Sequence, residues 1–204
     1  MNKINLLGAA SCAMLLSASA FADAGMSGDN PGDMMVRVRA VHLNWDNSSS
    51  VAGLAAQNKT IPEVDLSYFF TKNIATELIL TYPQKVNVNL GATPIGSLKA
   101  LPPTLTVQYH FLPDNPSFRP YVGAGINYTN FSGYSLANNT ITGSSSSWGG
   151  ALQAGFDIPL TSSMTFNVDI KKLYIKNDLS TPAGPLTALK LDPLLIGAGL
   201  GWKF

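Results

Sequence analysis

Two histidines, His42 and His110, and one cysteine, Cys12, are the residues of this chain best suited to nucleophilic or acid–base work at neutral pH. Such catalysis needs a nucleophile and a base within hydrogen-bond reach, usually with a third group to orient them. His42 stands two residues from Asn44, with Ser48 to Ser50 beyond it, and His110 sits between Tyr109 and Phe111. Neither spacing assembles a triad. No Cys–His cluster and no phosphate-cradling glycine loop is present, so no metal, nucleotide or other cofactor is expected. What remains is charge. Arg37 and Arg39 lie two positions apart, on one face of an extended segment. Asp65, Glu77, Asp169 and Lys171 occupy positions alternating with apolar residues. Gathered in one interior, these six would first of all neutralise one another, because buried ions need partners.

The elements that must gather them follow from the periodicity. Strands are expected near 33–44, 61–70, 74–83, 103–111, 120–131, 148–158, 164–176 and 190–204. Connectors alternate between short (71–73, 112–119, 159–163) and long, polar ones near 45–60, 84–102, 132–147 and 177–189. Within strands one face is greasy. Val64, Leu66, Tyr68 and Phe70 oppose Asp65, Ser67 and Phe69; Leu105, Val107, Tyr109 and Phe111 oppose Thr106, Gln108 and His110. Alternation of this kind with loops segregated by length is the pattern of an outer-membrane barrel. The expected fold is therefore all-β, an eight-stranded antiparallel transmembrane β-barrel with short periplasmic turns and longer extracellular loops. A closed barrel is also the one non-helical way to satisfy every backbone hydrogen bond in lipid.

The N-terminus agrees with that compartment. Lys3, an apolar run from Ile4 to Ala18 and Ala20-Phe21-Ala22 have the form of a secretory signal with its cleavage site. Residues 1–22 are expected to be removed with Cys12, leaving 23–204 as the barrel. Loss of Lys3 from 13 Lys+Arg leaves 12 against 12 Asp+Glu. That balance gives no basic footprint for nucleic acid. Bacterial outer membrane is the expected location, with lipid and lipopolysaccharide as surroundings. A closed barrel has no free edge that forces association, so a monomer is expected.

The interior of an eight-stranded barrel is only wide enough for its own side chains. Its inward residues change character along the axis. Arg37, Arg39, Asp65, Glu77, Gln153, Asp157 and Asp169 lie toward the periplasm, and Val41, Leu43, Ile79, Leu173 and Ile175 lie further out. The expectation is a polar network below an apolar neck. Pro83 and Pro102-Pro103 bracket one long connector, and proline cannot donate to a ladder. They mark a candidate gap in the wall. Tyr68, Phe70, Tyr109, Phe111, Phe156, Trp202 and Phe204 fall near the short turns, as an aromatic girdle would.

The blocks Leu101-Pro102-Pro103-Thr104-Leu105, Phe118-Arg119-Pro120-Tyr121-Val122-Gly123-Ala124-Gly125-Ile126-Asn127-Tyr128 and Ser147-Trp148-Gly149 resemble the OmpW family of small outer-membrane barrels. So do Leu191-Asp192-Pro193 and the terminal Trp202-Lys203-Phe204, and the likeness spans essentially the whole chain after residue 22. The resemblance implies a narrow hydrophobic lumen that admits small hydrophobic solutes, with Ile79 lining its neck. Lys171 falls where a close relative carries an aromatic residue. The terminal aromatics Trp202 and Phe204 resemble the signal read by the barrel-assembly machinery. A structural, adhesive or receptor barrel working through its outer loops is the alternative; a lipid A-modifying enzyme is not expected.

Overall fold

The computed structural model describes residues 28–45 and 54–204. The expected signal segment 1–22, with Cys12, lies outside the described residues, as do Ser48 to Ser50. Eight strands close into one antiparallel barrel: β1 (Met34–Asn44), β3 (Lys59–Phe69), β4 (Ile74–Leu80), β7 (Thr104–His110), β8 (Arg119–Leu136), β10 (Ser146–Pro159), β11 (Met164–Leu173) and β14 (Leu194–Lys203). Each pairs with the next in chain order. The ladder from Met35↔Lys203 to Asn44↔Leu194 joins β14 to β1 and completes the ring.

Alternation produces the strands because each successive side chain must suit the opposite solvent. In β7 the odd residues Leu105, Val107 and Tyr109 are exposed, while Thr104, Thr106, Gln108 and His110 are buried. Leu66, Leu78, Leu152, Ile170 and Ile196 form the same outward apolar band on other strands. A continuous apolar exterior around a polar interior fits lipid, where a charge at the midplane costs about 2–4 kcal/mol. At the lower rim Tyr68 meets Phe70 and Tyr109 meets Phe111, edge to face at 5.0 and 5.1 Å.

The short turns share one chemical device. Thr71 Oγ1 accepts from the amide of Ile74 at 2.9 Å, and Thr161 Oγ1 accepts from that of Met164 at 3.0 Å. A threonine hydroxyl thus mimics a backbone acceptor and tightens each reversal. In the middle connector, Asn115 Oδ1 takes the amides of Ser117 and Phe118.

The long connectors differ from the sequence expectation, for they contain strands. β5 (Gln84–Leu90) and β6 (Thr93–Leu101) form a hairpin that pairs with the upper half of β8, and β2 (Leu54–Ala56) adds to its other edge. β9 (Thr142–Gly143), β12 (Lys176–Thr181) and β13 (Gly184–Lys190) form a second small sheet. Above the membrane the outward positions face water, so Lys85 and Asn87 are polar there and a strand looks like a loop.

One ladder stops short. β3 pairs with β1 from Lys59 onward, but with β4 only from Val64↔Leu80 to Phe69↔Ala75. Among the described residues the β4-side edge of Lys59–Glu63 has no strand partner. A single side-chain bond, Thr81 Oγ1 to the Pro62 carbonyl at 3.3 Å, crosses there. Pro62 and Pro83 flank this break, and both are exposed. At the other side of the same hairpin, Pro102 and Pro103 are tied to β8. The Tyr128 amide donates to the Pro103 carbonyl at 3.0 Å, and Asn127 Nδ2 reaches both proline carbonyls at 3.3 Å.

Packing of the lower barrel depends on one bare position. Gly155 of β10 faces Tyr121 of β8, and a Cβ at 155 would lie 2.5 Å from the tyrosine hydroxyl and 2.6 Å from the Val168 carbonyl oxygen. Gly155→Val should displace Tyr121 and destabilise the barrel by about 2–3 kcal/mol, measurable as a lower urea midpoint in detergent micelles.

Candidate functional site: a charged plug beneath an apolar cup

The lower lumen is filled by charge. Arg37 of β1 forms a two-pronged bond to Asp157 of β10, with Nε–Oδ1 at 3.3 Å and Nη2–Oδ2 at 2.9 Å. Its Nη1 donates to Ser67 Oγ at 2.8 Å and approaches Asp65 and Glu77 at 3.4 and 3.5 Å. Arg39, one step higher on the same face, binds Asp65 at 2.6 Å, Glu77 at 3.0 Å and Glu63 at 3.2 Å. Its Nη1 donates to Asn167 Oδ1 at 3.0 Å. Gln153 Nε2 bridges Glu77 and Asp169 at 2.8 and 2.7 Å, and Asp169 also accepts from the Tyr121 hydroxyl at 2.9 Å. Lys171 caps the set through Glu63 at 3.0 Å and Asp169 at 3.6 Å.

The six charged residues expected in the lumen, Arg37, Arg39, Asp65, Glu77, Asp169 and Lys171, are all buried and joined in this one network. Glu63 and Tyr121 belong to it as well. Glu63 lies beyond Pro62 at the ragged end of the alternating run, and no spacing distinguishes Tyr121 from a girdle tyrosine.

Below the plug the periplasmic mouth is stoppered. His110 stacks on Tyr121 at 5.2 Å and meets Phe69 edge-on at 5.0 Å. The segment before β1 crosses beneath them. Its Asp29 carboxylate pairs with Arg119 at 3.2 Å and lies 3.9 Å from Lys203 and 3.6 Å from His110 Nδ1. The backbone is pinned too: the Gly32 amide donates to the Phe69 carbonyl at 2.8 Å, and Lys203 Nζ donates to the Gly28 carbonyl at 2.6 Å.

Above the plug the lining turns apolar. Val41, Leu43, Leu173 and Ile175 join Trp45, Ile61, Val86, Val88, Leu98 and Ala100 in one buried cluster that reaches into the extracellular hairpins. Leu43, Ile79, Leu173 and Ile175 line a cavity of about 20 Å³, enough for one water-sized guest, whose floor is Glu63 and Lys171. The wall beside it is Ile61 and Thr81, next to the unpaired stretch of β3. Val41 packs in the cluster away from the cavity, and Trp45 and Gln84 of the lining carry no sign in the alternation of their neighbours. Pro102 also lines the cavity, whereas Pro83 is exposed at the break. At the end of the chain Phe204 is exposed and Trp202 half-buried, with the Phe204 amide donating to the Met34 carbonyl at 2.8 Å.

A closed eight-stranded barrel with an apolar exterior, an ion-paired plug and an apolar outer cup defines a small outer-membrane β-barrel protein. The OmpW family profile matches residues 30–204, and the chain belongs to that family. It is 33% identical to outer membrane protein W of Vibrio cholerae, over 99% of this chain and 100% of the other. It is 41% identical to an uncharacterised outer-membrane protein, y4mB, of Sinorhizobium fredii, over 83% of this chain and 79% of that one. The crystal structure of OprG from Pseudomonas aeruginosa superposes with a TM-score of 0.77 at 28% identity, covering 87% of this chain and 98% of OprG. The bacterial outer membrane is thereby its location.

Two measurements test the plug. Arg39→Ala removes the nearest guanidinium from Asp65 and Glu77 and one of two cations from Glu63, and should cost about 3–5 kcal/mol, read as a loss of heat-resistant folded barrel on gels. The stopper responds to pH. Burial pushes the Asp29 carboxyl up from 3.8 to about 6, while Arg119 and Lys203 pull against it. The folded state thus holds a proton that the unfolded chain has released, so the contribution is full below 3.8 and gone above 6. Docking of residues 28–33 should tighten by about 2 kcal/mol between pH 7 and pH 4, seen as rising hydrogen-exchange protection of Gly32. Asp29→Asn should flatten that dependence.

Proposed function

We propose that this barrel is a passive channel for small hydrophobic molecules, which enter the apolar cup from outside and leave sideways into the bilayer. The observation that carries the reading is the position of the apolar cavity: it rests on a sealed charged plug and abuts the stretch of β3 that lacks a ladder partner on its β4 side. A solute in the cup faces a layer of ion pairs below, where an apolar body would have to strip buried charges of their partners. Beside it stands a wall crossed, among the described residues, by the Thr81–Pro62 side-chain bond. Parting that wall breaks far less than opening the plug. Pro62 and Pro83 maintain the break because neither can donate to a neighbouring strand. Pro102 and Pro103 form the fixed post on the far side of the hairpin.

The lipid and lipopolysaccharide of the membrane are then the receiving phase as well as the surroundings. The exposed terminal aromatics, with Phe204 bonded to the start of β1, suit recognition by the assembly machinery at the strand that closes the ring. Relatives named as outer-membrane proteins, outer membrane protein W of Vibrio cholerae among them, are in keeping with a barrel that transports.

Cells with and without the protein should differ in their rate of entry of a small apolar solute and not in that of a size-matched polar one. Ile79→Lys should place a cation in the neck and reduce apolar entry at least tenfold while the barrel stays folded. Cross-linking cysteines introduced at Pro62 and Tyr82 should do the same reversibly. Equal entry of both solutes, or entry untouched by both changes, would remove the channel reading.

A further inference from the structure

The apolar cup contains two polar atoms with nothing to bond. Trp45 and Gln84 both line the cavity, both are at least nine-tenths buried, and Trp45 Nε1 and Gln84 Oε1 have no hydrogen-bond partner. The amide orientation of Gln84 is fixed by its other end. Nε2 donates to the Tyr82 carbonyl at 2.9 Å and lies 3.3 Å from Thr81 Oγ1. A carbonyl can only accept, so nitrogen stands there and the free atom is an acceptor. The indole N–H can only donate. The other polar groups of the lining, Glu63, Lys171, Thr81 and Thr104, have partners, so the cavity presents one unmet donor and one unmet acceptor in Trp45 and Gln84.

Leaving such groups unpaired is costly, which is why buried polar atoms nearly always have partners. The rest of the cup needs no such groups: Leu43, Ile79, Leu173 and Ile175 pack without polar help. A pure hydrocarbon would leave both atoms unsatisfied. An ester or ether could satisfy the indole alone. A hydroxyl both accepts and donates, and so offers what each of the two residues lacks.

We infer that the solute favoured by this cup is an apolar molecule carrying one hydroxyl group, an aromatic or aliphatic alcohol, read by Trp45 as donor and Gln84 as acceptor. This rests on the channel reading above and narrows it to a chemical class. The small resting volume means that the solute enters by displacing side chains, with the hydroxyl meeting groups already desolvated.

Three nearly isosteric probes separate the possibilities: propylbenzene, 2-phenylethanol and its methyl ether. In a Trp148→Phe/Trp202→Phe background, Trp45 is the sole indole, and its emission in lipid nanodiscs reports on its N–H. The alcohol and the ether should red-shift that emission, and propylbenzene should not. Protein-dependent entry into cells should favour the alcohol over the ether, and the ether over propylbenzene, each step by about fivefold. Trp45→Phe should abolish the ether's advantage over propylbenzene while leaving propylbenzene entry unchanged. Equal shifts for all three probes, as expected if an ordered water already serves both atoms, would overturn the inference, as would equal entry rates. Protein-dependent entry of propylbenzene would persist in that event, so the channel would stand. Failure of all three probes to enter faster with the protein would instead sink the channel reading itself.

Discussion

Two arginines on one strand, sealed inside a ring surrounded by lipid, constrain the rest of this molecule. Arg37 and Arg39 have no access to water. Each must therefore find counter-charges around the lumen, and the acids that answer them come from the neighbouring β3 and from β4, β10 and β11. The guanidinium fork suits this task because it can address several carboxylates at fixed angles. Gln153, Asn167 and Tyr121 occupy lone pairs and donors that the ions leave over. The small residues of β8 and β10, Gly155 foremost, exist to admit these side chains. Once the lower lumen is so filled, passage straight through the axis is closed. Whatever the upper lumen does, it does as a cup.

The cup and the plug follow from the same arithmetic of alternation applied at two heights. Inward positions at membrane depth can be ionic because partners are supplied across a narrow interior. Inward positions above it, lined by hairpins that stand in water, are apolar because they must hold those hairpins together. The extracellular sheets are thus not appendages to a finished barrel. Their cores and the neck of the lumen are one continuous cluster, from Val41 and Leu43 to Leu179 and Leu189. A change in loop packing is felt in the lumen wall.

Much of this was legible in the sequence, and the illegible parts have physical causes. The eight barrel strands stand out because lipid and lumen demand opposite residues at successive positions. Arg37, Arg39, Asp65, Glu77, Asp169 and Lys171 could be placed inside for that reason alone. β5 escapes because its outward residues meet water, which erases the contrast while keeping the period: Val86 and Val88 still point in. Glu63 escapes because Pro62 interrupts the run before it. Trp45 and Gln84 are beyond reach for a different reason. Each belongs to a connector, and their place in one cavity lining depends on how the connectors fold, which spacing along the chain does not encode. The break in the wall was half visible. Proline marks where pairing fails, but only the ladder tells which neighbour is lost.

The ring is closed by its first and last strands, and that seam has a consequence for how the molecule comes into being. Arg37 finds Asp157 across 120 positions of chain, and Arg39 finds Asn167 across 128. Asp65 and Glu63 on the neighbouring β3 answer part of that charge, but a nascent sheet still missing β10 and β11 leaves both arginines short of the partners that complete their surroundings. Such a sheet meets a cost on entering hydrocarbon before β10 and β11 have joined, which couples curling shut to sinking into the bilayer; the plug that stops the axis in the mature protein would thus favour the finished barrel over the unfinished one.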